Sequence, residues 1–187
     1  VVDRVVTGLD FGVGKRYNSE AQLKEISEQT GKEVPAEEAI EEFKEPQDLF
    51  IDRQTNSLYI VDSGNNRILV TDVEYKNQFI IMDYFYNPET KKYETLKNPH
   101  GIFVKHDNNS LNENESTMIY IADYDNNRVI GCYADGTIFQ TFERPSDEFY
   151  GAEVTFQPNK VVVDVAGNVY VNILSITDGA VMFAPDG

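Results

Sequence analysis

Apolar residues in this chain come in short runs closed by Asn, Asp, Ser and Gly, a spacing that suits strands and tight turns better than helices. Leu49–Asp52, Leu58–Val61 and Ile68–Thr71 are such runs, rich in β-branched and aromatic residues, and Phe79–Tyr86 supplies a fourth. A second series continues through Ala134-Asp135-Gly136, a tight-turn signal, into Thr137–Phe142. The pattern predicts antiparallel meanders of four strands. One stretch departs from it, because between Tyr17 and Pro46 the apolar period becomes helical. Ser19-Glu20-Ala21-Gln22 reads as a capping box and Gly31 as a stop; after Pro35, the residues Ala36, Ala39, Ile40 and Phe43 share one stripe. A helical hairpin over 19–45 is expected, and Gly12-Val13-Gly14-Lys15 before it reads as a turn.

The meanders repeat. One copy runs from Pro46 to Asp72; a second starts at Pro99, is interrupted by a polar stretch and resumes at Met118; a third starts at Pro158. Asp62-Ser63-Gly64-Asn65-Asn66-Arg67 and Asp123-Tyr124-Asp125-Asn126-Asn127-Arg128 agree at every defining position, whereas the third copy reads as placing Asn172 at the Asp position and has no Arg. Four antiparallel strands cannot bury both faces alone, so the units must stack, and their likeness favours radial blades over a sandwich. The expectation is an all-β chain forming one partial β-propeller over 1–187. It comprises the insertion at 19–45, a blade at 46–98, a blade at 99–157 with a polar loop at 106–117, and an incomplete blade at 158–187. Val1–Val6 reads as a further strand, Ile173–Gly179 as a divergent turn, and Asp186-Gly187 as the counterpart of Asp135-Gly136. Closed propellers have about 4–8 blades, so the missing ones are expected from the full-length chain or from another chain.

A proline, an apolar strand, a Tyr-Ile-(Val/Ala)-Asp strand and then Asn-Asn-Arg-(Ile/Val) resembles the NHL repeat, over residues 46–187. Asn66 and Asn127 stand where that family often has His. The absence of Trp counts against a Trp-Asp propeller, and there is no Gly-Gly pair of the kelch kind. The resemblance implies that the inter-blade connections at Pro46, Pro99 and Pro158 share one face with the Asp–Arg turns. Gln47, Asp48, His100 and Asn159 would then ring a channel mouth, where ligands bind.

Charge narrows the partners. The 187 residues carry 32 acidic and 16 basic side chains, a net −16 that repels nucleic acid and anionic membrane alike. Residues 19–45 hold nine acidic and three basic side chains, a solvated helix face or a docking surface for a basic partner. No apolar run approaches bilayer length. A single cysteine, Cys132, excludes an internal disulfide and reads as a small buried hydrophobe in a strand. The loop at 106–117 contains two glycosylation-type triplets, Asn108-Asn109-Ser110 and Asn114-Glu115-Ser116, which such a composition produces easily by accident.

Candidate chemistry is sparse. No phosphate loop, nucleophile elbow or zinc-protease helix is present. Asp62 with Arg67 and Asp123 with Arg128 recur once per blade; an active site needs one constellation, so these read as structural ion pairs. The two histidines are His100, at the mouth, and His106, in the polar loop. The reading is a non-enzymatic binding or scaffold module, cell-surface or secreted, recognising a protein, peptide or glycan, with no cofactor. The alternative is a fragment of a metal-dependent propeller enzyme. By resemblance this would be a lactonase-like hydrolase holding a calcium-sized ion through Asp48 and Asn159, or an amidating lyase, for which two histidines are too few.

Overall fold

The structure, a computed structural model, describes residues 12–74, 78–108, 110–112, 115–146, 154–174 and 180–185. Val1–Val6, Asp186-Gly187 and residues 175–179 of the expected divergent turn lie outside these, as do Asn109 and Asn114 of the two triplets.

The first blade contains β1 (Val13–Arg16), β2 (Glu37–Ala39), β3 (Asp48–Asp52), β4 (Ser57–Asp62), β5 (Arg67–Asp72) and β6 (Ile80–Met82), in the order β2-β1-β6-β5-β4-β3. Strands β3 to β6 form the antiparallel meander. The run Phe79–Tyr86 is not one strand: it breaks at Asp83, after which β7 (Tyr84–Asn87) turns into a separate hairpin with β8 (Lys92–Thr95). Asp83 instead receives the guanidinium of Arg16 through Nε at 3.0 Å and Nη2 at 2.9 Å.

The second blade is β9 (Pro99–His106), β10 (Thr117–Asp123), β11 (Arg128–Tyr133) and β12 (Ile138–Phe142), all antiparallel. The third contains β13 (Pro158–Val163), β14 (Val169–Ile173) and β15 (Val181–Phe183). The chain is thus all-β and propeller-like, with β3, β9 and β13 side by side as the inner strands.

Alternation along each strand sends one row of side chains to the preceding blade and the other to the following blade. Phe50, Tyr59, Val61, Ile68, Val70 and Met82 of the first blade pack against Ile102, Val104, Ile119, Ile121, Ile130 and Cys132 of the second. The opposite face of the second blade, with Phe103, Tyr120, Ala122, Val129 and Phe142, packs on Val161, Val163, Val169, Val171 and Ile173 of the third. Gly101 allows the closest approach, since a Cβ there would lie 2.8 Å from the Asn159 carbonyl oxygen and 2.9 Å from Lys160 Cα.

The helical insertion is half as expected. Helix α1 (Glu20–Thr30) has its capping box, Ser19 accepting from Gln22 N while Gln22 accepts from Ser19 N, and it ends at Gly31 with φ 68°. It buries Leu23 and Ile26 against Val34 and Tyr93, and Gln29 bonds both the N–H and the carbonyl of Tyr93 as a neighbouring strand would. The second helix does not form. Glu37–Ala39 is β2, paired antiparallel with β1, itself read as a turn from the sequence. β1 lies parallel to β6, and its other edge outcompetes local helix propensity: Arg16 N–H donates to Ala36 O, and Gly12 O, just before β1, accepts from Ile40 N–H. Arg16 adds an ion pair to Glu38 at 2.5 Å and a bond to Pro35 O. Ile40 and Phe43 of the expected stripe still reach the outer face of the first blade, from extended chain.

Candidate functional site

The site starts from three prolines. Pro99 and Pro158 open β9 and β13, and Pro46 stands just before β3, so the inner strands begin at the same point of each repeat. Glu45 and Asn98, each preceding its proline, share a left-handed φ of 48°. Gln47, His100 and Asn159 thereby occupy equivalent positions, and Asp48, Gly101 and Lys160 the next.

These residues form one hydrogen-bonded group. His100 Nδ1 lies 3.0 Å from Asn159 Oδ1, an amide oxygen that can only accept, so Nδ1 donates. The imidazole stacks on Tyr124, with ring centroids 3.9 Å apart and planes 10° from parallel. Lys160 crosses the strands, donating to Gln47 O at 3.0 Å and His100 O at 3.1 Å and pairing with Asp48 Oδ2 at 3.2 Å. That uses the three ammonium protons. Asp48 is committed to the chain as well, since Oδ2 accepts from Ile102 N and Oδ1 from Leu49 N.

The sequence reading named Gln47, Asp48, His100 and Asn159, and the structure brings all four together. It missed Lys160 and Tyr124. Lys160 was detectable: it stands at the Asp48 position of its own repeat, and with Gly101 at that position of the inner strand between them the two opposite charges can meet. Tyr124 carried no signal, because the first repeat has Ser63 in its place, whose hydroxyl donates to Pro99 O.

Beside this group lie the repeated turns, Tyr124 stacking on His100 and Ser63 bonding Pro99 O. Asp62 and Asp123 are fully buried, and each takes the same partners. Asp62 Oδ1 accepts from Lys44 N at 2.7 Å, and Oδ2 accepts from Asn65 and from Arg67 Nε at 2.9 and 2.7 Å. Asp123 Oδ1 accepts from Lys97 N at 2.7 Å, and Oδ2 accepts from Asn126 and Arg128 Nε at 2.8 and 2.9 Å. Burial pushes the Asp123 carboxyl above its usual range, and the Lys97, Asn126 and Arg128 donors oppose that shift. Asn66 and Asn127 close each turn with φ 55° and 54°, the left-handed conformation that Asn tolerates.

In the third blade the aligned residue is not Asn172. Ile173 pairs with Pro158 as Asp123 pairs with Pro99, so a buried isoleucine replaces the aspartate and Asn172 takes the place of Ala122.

At the far end of β9 from His100, His106 is not in the polar loop. It ends β9 with its ring largely buried between blades, Nε2 at 2.8 Å from Asp52 Oδ2 and Nδ1 at 3.2 Å from the Thr117 hydroxyl. Burial raises the Asp52 carboxyl, but hydrogen bonds from Thr55, His106 and Gln54 N outweigh it and leave the group below its ordinary value. Cys132 lies in the core, where burial pushes its thiol far above the usual range. Among the described residues no three His, Cys, Asp or Glu side chains are grouped to hold a metal ion, and no helix is long and apolar enough to cross a membrane.

No protein-family description matches the chain, and no curated protein does. Among solved structures, it is similar to a candidate phosphatase from Bacteroides thetaiotaomicron, with 17% identity and a TM-score of 0.46 over 78% of this chain and 38% of that one. It is similar also to auxiliary nutrient binding proteins from Bacteroides thetaiotaomicron (15% identity, TM-score 0.46) and Bacteroides ovatus (14%, 0.41), each over 66% of this chain and 33% of theirs. The chain therefore spans between 33% and 38% of the length of these proteins.

Proposed function

We propose that this chain is a non-enzymatic binding module of the NHL-repeat kind, displayed at a cell surface or secreted, and that its mouth holds an uncharged polar ligand, best matched by a glycan. The NHL reading is supported by two Asp-x-x-Asn-Asn-Arg turns with the same internal bonds. Ligand chemistry follows from what the mouth leaves unpaired. Lys160 and Asp48 neutralise each other. Among the described residues, His100 Nε2, the Gln47 and Asn159 amide nitrogens and the Tyr124 hydroxyl have no hydrogen-bond partner. This set mixes donors with acceptors, since the amide nitrogens donate, the Gln47 amide oxygen accepts and the Tyr124 hydroxyl does both, and a sugar hydroxyl likewise donates and accepts. Among the described residues, a charged ligand would find no free counter-charge in this group.

Calorimetric titration with neutral oligosaccharides, against neutral peptides as competitors, tests this. Binding should change less than about twofold between low and high salt, because screening acts on net charge. His100→Ala with Asn159→Ala should weaken it about tenfold or more, the loss of one to two hydrogen bonds. Binding that high salt abolishes, or that the double variant leaves intact, would sink the reading.

A further inference from the structure

The repeat makes each inner-strand position predict its own burial. Leu49, Ile102 and Val161 are equivalent, as are Ile51, Val104 and Val163, and all face the preceding blade. Ile102, Val104, Val161 and Val163 are between 3% and 7% exposed, but Leu49 is 64% and Ile51 58% exposed. Phe50, Phe103 and Val162 are likewise equivalent and face the following blade. Phe50 and Phe103 are packed, at 5.4 Å edge to face, whereas Val162 is 52% exposed. Val162 continues across its sheet into Tyr170 and Met182, and Met182 is 59% exposed. Leu49 and Ile51 continue into Ile60 and Leu58, beside a cavity of about 540 Å³ that Phe43 and Pro46 also line. Leu58 and Ile60 themselves are buried under Ile40 and Phe43, so what no described residue covers is Leu49 and Ile51 at one end of the array and Val162 and Met182 at the other.

We propose that these ends take each other: two copies of the chain associate head to tail, the Val162–Tyr170–Met182 row of each seating on the exposed Leu49 and Ile51 of its partner's inner strand. At the inner strands the contact continues the interface already made twice within one copy. It is heterologous, and such contacts close when the rotation permits. Three blades from each copy give six, within the range of about 4–8 in which propellers close. Each copy then contributes Gln47, Asp48, His100, Asn159 and Lys160 to a two-fold symmetric mouth. The association depends on the faces alone, so its failure leaves the ligand reading standing.

Sedimentation equilibrium from about 1 to about 200 µM, a range that separates weak from stable pairs, tests it on the chain as it is. The expected result is twice the mass of one chain. Leu49→Lys with Ile51→Lys, or Val162→Lys with Met182→Lys, should each raise the dissociation constant about 100-fold or more, as burying an unpaired ammonium at an interface centre does. These positions are exposed in the single chain, so the variants should keep the parent circular dichroism. An equimolar mixture of the two variants should regain dimers, because it restores one intact pairing. A chain that stays monomeric throughout would overturn the proposal and leave the faces to further blades of a longer polypeptide. Dimers weakened by only one of the two variants would overturn it in favour of a face-to-itself contact, and an open ladder of oligomers would overturn ring closure.

Discussion

The first two blades and the third solve one packing problem in two ways. Where the second strand meets the next turn, the first two bury an aspartate with an arginine, an asparagine side chain and a backbone N–H around it, and the third buries Ile173. The charged version also draws on sequence outside the repeat. Arg67 reaches Glu38 of β2 at 3.6 Å, and Arg128 bonds Glu94 of β8, so two unrelated insertions supply the same second carboxylate. A buried ion pair rarely stabilises more than a packed apolar group, though losing one partner is costly. The comparison therefore teaches that the Asp–Arg turn fixes a conformation rather than adding stability, by tying the chain before each inner strand to the strand beyond.

Breaking one side should have the largest effect. Asp123→Ala leaves Arg128 short of its buried partner and Lys97 N without an acceptor, and should cost about 3–5 kcal/mol in chemical denaturation. The sharper test imitates the third blade: Asp123→Ile with Arg128→Met removes both charges and should cost only about 1–2 kcal/mol, mostly from the orphaned Lys97 N–H. If the double variant is as damaged as the single one, the apolar and charged solutions are not interchangeable. Glu94→Gln, at a partly exposed pair, should cost less than about 1 kcal/mol by the same measurement.

The smallest expected effect lies on the opposite side, where Asp52 links to His106 between the first two blades and Lys105 bonds the Asp164 carbonyl between the second and third. The folded-state Asp52 carboxyl sits below its ordinary 3.8, so its contribution is present above that pH and is lost as pH falls through the lower folded value. Asp52→Asn should flatten the stability profile in that acid window, and a profile superimposable on the parent would show that the contact contributes nothing.

The repeat was legible because its signals are local. Asp, Asn and Arg at fixed spacing build a turn from neighbours, and proline marks each inner strand wherever it falls. The grouping of Gln47, Asp48, His100 and Asn159 came instead from the resemblance to the NHL repeat, with the prolines marking equivalent positions. What escaped depends on distant pairing. β1 is four residues long and is held by β6 and β2 from far along the chain; nothing in Val13-Gly14-Lys15-Arg16 announces a strand. The apolar stripe after Pro35 was real, but Ile40 and Phe43 satisfy the same surface from an extended backbone. The alignment of Asn172 with the aspartates slipped by one residue because the third repeat lacks the arginine that fixes the register.

The β1–β2 pairing also bears on how this protein avoids uncontrolled aggregation. A sheet ending in a long, flat strand recruits other chains through its unpaired amides and carbonyls. Here, among the described residues, the outermost strand of the first blade is three residues long and begins with two glutamates, Glu37 and Glu38. Strand-by-strand growth into fibrils is discouraged at that margin, and a variant that lengthened β2 or replaced Glu37 with an apolar residue would shift the hazard from soluble assembly to insoluble deposit.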